Sequence, residues 1–268
     1  MTQLIGNWRV VCATNGSARL RVLAAGDGPS IVMLPGRGFG PSSLEPLAER
    51  LLIAGFRIVL PEPRGCGKSI GPLEGVTLRD LAADVAGTIE SVGGAPVVLA
   101  GHAFGNRVAR MLAADRPDLV RGVVLMAAGG KFPPGPEAVR NLAMSGDPSL
   151  PAELREGAAK AALFGPQSSP TPDDLMRGAF SIDAIKMQVA ATDSFPLEAW
   201  WPGGKAPMLV IQGLADVMAP PENGRSLKTD YPDRVTLVEL DGLGHLMTRE
   251  RPDLVADAIV AFARKLVE

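Results

Sequence analysis

The chain contains only two histidines, and each lies in a segment where an imidazole could take part in catalysis. His102 belongs to residues 101–105, Gly-His-Ala-Phe-Gly, and His245 ends residues 241–245, Asp-Gly-Leu-Gly-His. Both segments directly follow short apolar runs. An imidazole titrates near neutral pH and is the side chain that most often serves as a general base. These two segments are therefore candidate parts of a catalytic site.

Residues 101–105 have the glycine spacing of the G-x-S-x-G turn, in which a buried strand passes sharply into a helix. The central residue of such a turn is strained, so its neighbours must be small for the strand and the helix to pass closely. The start of the helix offers free N–H groups to a developing oxyanion. Here Ala103 occupies the position of the nucleophile, and it has no atom that can attack a carbonyl.

The remaining members of a catalytic triad follow in the order nucleophile, acid, histidine that accompanies this turn. Asp216 comes just after the apolar run 208–212, and His245 comes after the run 235–240. We therefore predict that His245 is the general base and that Asp216 orients it. Asp241 is the alternative acid, but we expect it to stabilise the turn beside His245. Cys66 could be another nucleophile, although its place in a different loop favours a small buried residue.

Strands and helices alternate along most of the chain, which predicts a mostly parallel, eight-stranded sheet with helices on both faces. Residues 1–130 and 203–268 form this α/β core. Residues 131–202 lack clean strands and are rich in Pro, Gly, Ser and Asp, so we predict an inserted helical lid with helices at 152–163 and 172–180. The predicted strands cover residues 8–14, 19–25, 31–34, 56–60, 96–100, 120–127, 208–212 and 235–240, and the predicted core helices cover 42–54, 77–92, 106–114, 221–227 and 252–267.

Composition excludes several functional classes. The 268 residues carry a net charge of −2 with scattered Lys and Arg, so nucleic acid is not an expected partner. We find no signal peptide and no apolar run of about 18 residues, so we expect no membrane association. Cys12 and Cys66 resemble neither a disulfide framework nor a metal cluster, which favours a reducing, cytoplasmic setting without metal or cofactor. A monomer or homodimer acting on a small molecule is expected.

Two further segments complete a resemblance to the α/β-hydrolases of the esterase, lactonase and epoxide-hydrolase type, which extends from about residue 18 to the C-terminus. Residues 34–38, Leu-Pro-Gly-Arg-Gly, resemble the oxyanion loop of that family with Pro35 in place of the usual His. Residues 61–69 resemble its D-x-R-G-x-G-x-S segment. The resemblance implies an α/β-hydrolase fold with oxyanion N–H groups from Arg37 and Phe104.

Several residues are candidates to line a substrate pocket. His102 is more often structural in such folds, and the aromatic residues of the predicted lid could equally form its core. The guanidinium of Arg37 could also hold a substrate carboxylate, or this residue could contribute its N–H alone. The candidates are Gly36, Gly38, Phe39, His102, Phe164, Met176, Phe180, Trp200 and Trp201.

Ala103 leaves three interpretations open. It could be an engineered replacement of a catalytic serine, it could be natural with the Asp216–His245 pair activating water or moving a proton in an elimination or carbon–carbon cleavage, or the protein could be a non-catalytic binder. The oxyanion hole and binding alone can supply about 10³–10⁴-fold acceleration. We favour a natural alanine and predict a cofactor-free hydrolase of small or medium esters, lactones or related carbonyl compounds. Halide removal and epoxide opening are disfavoured because they need Asp at position 103.

Overall fold

The computed structural model of the chain describes residues 8–171 and 181–267. Its centre is one eight-stranded sheet with the strand order β1-β2-β4-β3-β5-β6-β7-β8. The strands are β1 (Arg9–Asn15), β2 (Ala18–Ala25), β3 (Ser30–Leu34), β4 (Arg57–Pro61), β5 (Val97–His102), β6 (Val120–Met126), β7 (Met208–Gly213) and β8 (Val235–Leu240).

The sheet is mostly parallel, as predicted. Only β2 runs against its neighbours, β1 and β4, and all other neighbouring strands are parallel. Every residue of β3, β5 and β7 is buried. Strands that are covered on both faces read as continuous apolar runs, which is why the sequence identifies them.

Helices cover both faces of the sheet. They are α1 (Glu45–Ile53), α2 (Leu78–Val92), α3 (Phe104–Asp115), α4 (Pro136–Ser145), α5 (Ala152–Leu163), α6 (Ile182–Asp193), α7 (Leu197–Trp200), α8 (Glu222–Asp230), α9 (Met247–Glu250) and α10 (Pro252–Lys265). One apolar cluster lies under α2, α3 and α8, and a second lies under α1, α9 and α10. The eight-stranded sheet between these layers is the predicted α/β-hydrolase fold.

The first residues of two helices show how local sequence determines where a helix begins. α2 begins with a capping box, in which the Thr77 hydroxyl accepts the N–H of Asp80 and the Asp80 carboxylate accepts the N–H of Thr77. The helix predicted from residue 42 instead begins as a 3₁₀ turn, Pro41–Leu44, and α1 follows at Glu45. Ser43 does not cap it, because the hydroxyl donates to the carbonyl of Gly40.

Residues 127–207, between β6 and β7, are called the β6–β7 segment below. Its described residues form α4 to α7 and include no strand. The helix predicted at 152–163 is present as α5, whereas the one predicted at 172–180 lies outside the described residues. The segment reaches two loops of the core: Gln188 accepts the N–H of Gly38, and the carbonyl of Leu163 accepts the N–H of Leu246. Among the described helices, none has both the length and the apolar character that a membrane span requires.

Candidate active site

The turn from β5 to α3 has the geometry of a nucleophile elbow. Ala103 lies between the two elements with φ 49° and ψ −109°, a conformation that L-residues rarely adopt. A Cβ atom on Gly101 would lie 2.5 Å from the N atom of Asn106, and one on Gly105 would lie 2.4 Å from the carbonyl oxygen of Leu34. Both glycines are therefore required by the close passage of strand, helix and the loop after β3.

The loop after β3 lies against Ala103. A Cβ atom built on Gly36 would be 3.7 Å from the Cβ of Ala103. The N–H groups of Arg37 and Phe104 make no hydrogen bond to any residue that the structure describes, and Phe104 is the first residue of α3, so it has no partner within its helix. Two backbone donors are thus available beside the methyl group of Ala103.

His245 and Asp216 form a close pair. Nδ1 of His245 lies 3.0 Å and 3.1 Å from the two carboxylate oxygens of Asp216. The Asp216 side chain has no exposed surface, whereas that of His245 is 13% exposed. The carboxylate is fixed by the N–H groups of Met218 and Ala219, which donate to Oδ1 at 2.9 Å and 2.8 Å. The structure joins the imidazole to Asp216, and the rival Asp241 is exposed.

The hydrogen bonds to Asp216 fix the tautomer of the His245 imidazole. A carboxylate can only accept, so Nδ1 of His245 carries the proton and Nε2, on the opposite side of the ring, holds a free lone pair. This is the arrangement of a histidine prepared to act as a general base.

His102 lies beneath this pair and links it to the elbow. The residue is 4% exposed, and its Nε2–H donates to the backbone carbonyl of His245 at 2.8 Å. Burial, followed by the nearby charge of His245, lowers the pKa of His102 to about 3. A neutral, buried ring that donates to the histidine loop supports the structural interpretation of His102.

Glu250 fixes the same loop from the other side. Its carboxylate accepts the N–H of Gly244 and the N–H of Gly165, each at 2.8 Å, and also accepts the hydroxyl of Ser168. Gly165 and Ser168 belong to the β6–β7 segment, so Glu250 joins this segment to the loop that carries His245. Glu250 could not be predicted from sequence, because a glutamate between two arginines gives no signal of such a role.

The residues predicted to line a pocket lie in different surroundings. Gly38, at φ 75°, approaches Ile185 of α6 so closely that a Cβ atom would lie 2.4 Å from its Cγ1. Phe39 is half-buried with the guanidinium of Arg249 5.4 Å from its ring centre. Phe164 is buried, and its backbone packs on Gly244.

The tryptophans pack into the protein. Trp200 and Trp201 are both buried and lie against the guanidinium of Arg110 at 4.5 Å and 5.1 Å. The indole N–H of Trp201 donates to Asp230 of α8 at 2.7 Å. This placement fits the core alternative for the two tryptophans. Met176 and Phe180 lie outside the described residues.

Cys66 is not arranged as a nucleophile. The side chain is buried, and its sulfur donates to the carbonyl of Gly38 at 3.8 Å. Burial, with a smaller contribution from the charge of Glu62, raises the pKa of this thiol to about 11. The thiol is therefore protonated at neutral pH. In the two described stretches of chain, no group of three His, Cys, Asp or Glu side chains is placed to hold a metal ion.

Comparison with known proteins supports the family and the fold. The model of the alpha/beta hydrolase family matches residues 31–258. A relative from Mycobacterium tuberculosis, named "Putative non-heme bromoperoxidase BpoC", is 28% identical over 88% of this chain and 94% of its own length. Its crystal structure superimposes with a TM-score of 0.77 at 27% identity, covering 92% of this chain and 96% of that one.

A second solved structure, a thermophilic esterase from Thermogutta terrifontis, has a TM-score of 0.79 at 22% identity and covers 96% of this chain and 99% of its own. At that identity the likeness establishes the fold alone. The family match spans most of the sequence and includes the elbow, Asp216 and His245. The chain belongs to the alpha/beta hydrolase family.

Proposed function

We propose that this protein is a cofactor-free hydrolase of small or medium esters, lactones or related carbonyl compounds, in which His245 activates a water molecule. The observation that carries the proposal is the hydrogen-bonded pair of His245 and the buried, backbone-held Asp216. Such a pair is needed for proton transfer whether the attacking oxygen belongs to serine or to water.

The reaction follows from the tautomer. Nε2 of His245 takes a proton from water as its oxygen bonds to the carbonyl carbon, and Asp216 stabilises the imidazolium that forms. The resulting oxyanion accepts the N–H groups of Arg37 and Phe104. When the tetrahedral intermediate collapses, the bond to the leaving oxygen breaks and Nε2 returns its proton to that oxygen. One ester and one water give one acid and one alcohol.

We also propose that residues 131–202, which make up most of the β6–β7 segment, form a lid over this site. Three contacts support the proposal: Gln188 holds the oxyanion loop through Gly38, Leu163 holds Leu246 next to the histidine, and Glu250 joins the segment to Gly244. Substrate would then enter between this segment and the carboxyl ends of the central strands.

One observation favours a second candidate function, that of a non-catalytic ligand-binding protein. Ala103 removes the hydroxyl that other members with this turn use for covalent chemistry. Retained His245 and Asp216 would then serve only to shape the pocket.

Turnover of p-nitrophenyl acetate and of dihydrocoumarin, a small lactone, distinguishes the hydrolase from the non-catalytic binder. We expect the chain to hydrolyse at least one of them above the uncatalysed rate, and His245→Gln to lower that rate by about 10²–10⁴-fold, the range of general-base catalysis. Asp241→Asn, a change of the neighbouring exposed acid, is the matched control and should leave the rate unchanged. Equal rates for His245→Gln and the parent would refute the mechanism, and no turnover of either ester would favour the binder.

A further inference from the structure

We infer that the substrate of this protein carries a carboxylate, held beside the reacting carbonyl by the guanidinium groups of Arg37 and Arg107. The inference deepens the proposed function and rests on it for the identity of the neighbouring reacting group. From sequence, the role of the Arg37 side chain is open and Arg107 carries no signal of a role.

Both arginines are next to the elbow. Arg37 directly follows Gly36, the residue that lies against Ala103, and its Cζ is 6.0 Å from the ring centre of Phe104. Arg107 is four residues after Ala103, about one turn along α3, so its side chain leaves the helix on the side of the elbow. Its Cζ lies 5.2 Å from the ring centre of Trp200 in the β6–β7 segment.

Neither guanidinium forms an ion pair with a carboxylate in the part of the chain that the structure describes. Across residues 8–171 and 181–267, no hydrogen bond or ion pair to the side chain of Arg37 or Arg107 is formed, and Nε of Arg37 is buried without a partner. Arg64 shows what a partnered buried arginine looks like here: it donates to both carboxylate oxygens of Asp84, at 2.7 Å and 3.0 Å. Arg37 and Arg107 have the same donors but no such acceptor among the described residues.

The two charges also repel each other. Burial and then the charge of Arg37 lower the pKa of Arg107 to about 10, and burial lowers the pKa of Arg37. A guanidinium stays protonated at neutral pH, and the pKa of about 10 keeps Arg107 in that form. Asp193 at the end of α6 attracts both, but its carboxylate is exposed and forms no ion pair with either within the described part of the chain.

A third arginine lies near Arg107, and burial followed by the charge of Arg107 lowers its pKa well below the ordinary value. Arg110 is fully buried and donates to the Asn106 side chain at 2.6 Å and to the carbonyl of Gly129 at 2.7 Å, with no carboxylate partner among the residues the structure describes. Arg37 and Arg107 are half-buried and Arg110 is fully buried. Burying a cation without a counter-ion is costly, and a bound anion would offset part of that cost. The forked, planar donors of arginine match a carboxylate with two parallel hydrogen bonds.

Binding of non-hydrolysable probes tests the inference without any need for turnover. Glutarate and glutaramide have the same carbon skeleton and differ in charge. We expect calorimetry to show glutarate binding at least tenfold more tightly than glutaramide, and inorganic phosphate binding more weakly than glutarate. Raising NaCl to 0.5 M should reduce the affinity for glutarate.

Two variants and a matched control assign the effect to the arginines. Arg37→Met and Arg107→Met should each weaken glutarate binding about tenfold and leave glutaramide unchanged, while Arg107→Lys should restore part of the loss. Arg50→Met, on the exposed surface of α1, should change nothing. Equal affinity for glutarate and glutaramide, tighter binding of phosphate, or the same loss in Arg50→Met would overturn the inference.

Turnover of monomethyl and dimethyl glutarate distinguishes this inference from the proposed function. A preference for glutarate in binding with no hydrolysis of either ester would keep the carboxylate site and reject the hydrolase. Equal hydrolysis of the charged and the neutral ester would keep the hydrolase and reject the carboxylate site.

Discussion

Ala103 keeps the backbone of a nucleophile without its side chain. Its φ of 49° is one of two positive values among non-glycine residues in the described chain, the other being that of Ala127. Conformations of this kind cost about 1–3 kcal/mol and persist where the surroundings enforce them. Here the close passage of Gly101 and Gly105 enforces it.

The sequence predicts the pair of side chains, Asp216 and His245, that the structure joins by hydrogen bonds. Asp216 and His245 could be found because each follows an apolar strand in a fixed chain order, and parallel strands bring such loops to one edge of a sheet. Arg107 and Glu250 could not be found in this way. Trp200 beside Arg107 and Gly165 beside Glu250 come from distant parts of the chain, and no local pattern indicates these contacts.

The two cysteines should differ in reactivity. Because the pKa of Cys66 is raised to about 11, its thiol is protonated at pH 8, and the protonated form does not react with iodoacetamide. We expect mass spectrometry of the folded protein to show alkylation of the exposed Cys12 and not of Cys66, and alkylation of both in urea. Equal labelling of the two in the folded protein would contradict the buried position of Cys66.

At the element scale, the strands were easier to predict than the helices between β6 and β7. The buried residues of α6 are Ala184, Met187, Gln188 and Ala191, which have helical spacing. Because several of them are small or polar, this spacing does not appear as an apolar pattern in the sequence. Gln188 is buried because it accepts the N–H of Gly38 from a loop 150 residues away. Such a contact leaves no trace in local hydrophobic periodicity.

The capping box of α2 should contribute measurably to stability. Thr77→Ala removes the hydroxyl that accepts the Asp80 N–H, and loss of such a cap costs about 1 kcal/mol. We expect a lower urea midpoint with an unchanged slope. Ser91→Ala in the last turn of the same helix removes a hydroxyl that only donates to the Gly87 carbonyl. Should this control lose as much stability as Thr77→Ala, the cap would not be the cause.

Glu250 should couple the β6–β7 segment to the histidine loop. Glu250→Ala leaves the N–H groups of Gly165 and Gly244 without their acceptor, at about 1–3 kcal/mol for each group that stays unsatisfied. We expect faster amide hydrogen exchange in both loops together with slower ester turnover. Glu239→Ala removes a surface partner of Arg225 and is the control. Unchanged exchange at Gly165 and Gly244 would argue against the coupling.

A buried ion pair joins the sheet edge to the helical layer. Arg64, in the loop after β4, pairs with Asp84 of α2, and Asp84 also accepts the side chain of Asn15 at the end of β1. Three parts of the chain thus meet at one carboxylate. The sequence predicts the strands and the helix that carry or adjoin these three side chains. It does not predict their contact, because charge alone does not show which groups will be buried.

Removing that carboxylate should destabilise the entire domain. Asp84→Ala leaves the buried Arg64 charge unpaired, which costs about 3–5 kcal/mol. Urea unfolding should show one cooperative transition at a clearly lower midpoint. Asp118→Ala breaks an exposed ion pair with Arg116 and should leave the midpoint nearly unchanged. A small effect of Asp84→Ala would mean that solvent reaches Arg64.

The most direct test of the assembled site is covalent labelling of Ala103→Ser by a fluorophosphonate. The serine oxygen can displace fluoride from phosphorus rapidly only if His245 removes its proton and the N–H groups of Arg37 and Phe104 receive the developing charge. We predict that mass spectrometry finds one phosphonyl group on Ser at position 103, and that adding His245→Gln abolishes the labelling. An Ala103→Ser protein that folds but remains unlabelled, or that is labelled equally without His245, would contradict the account.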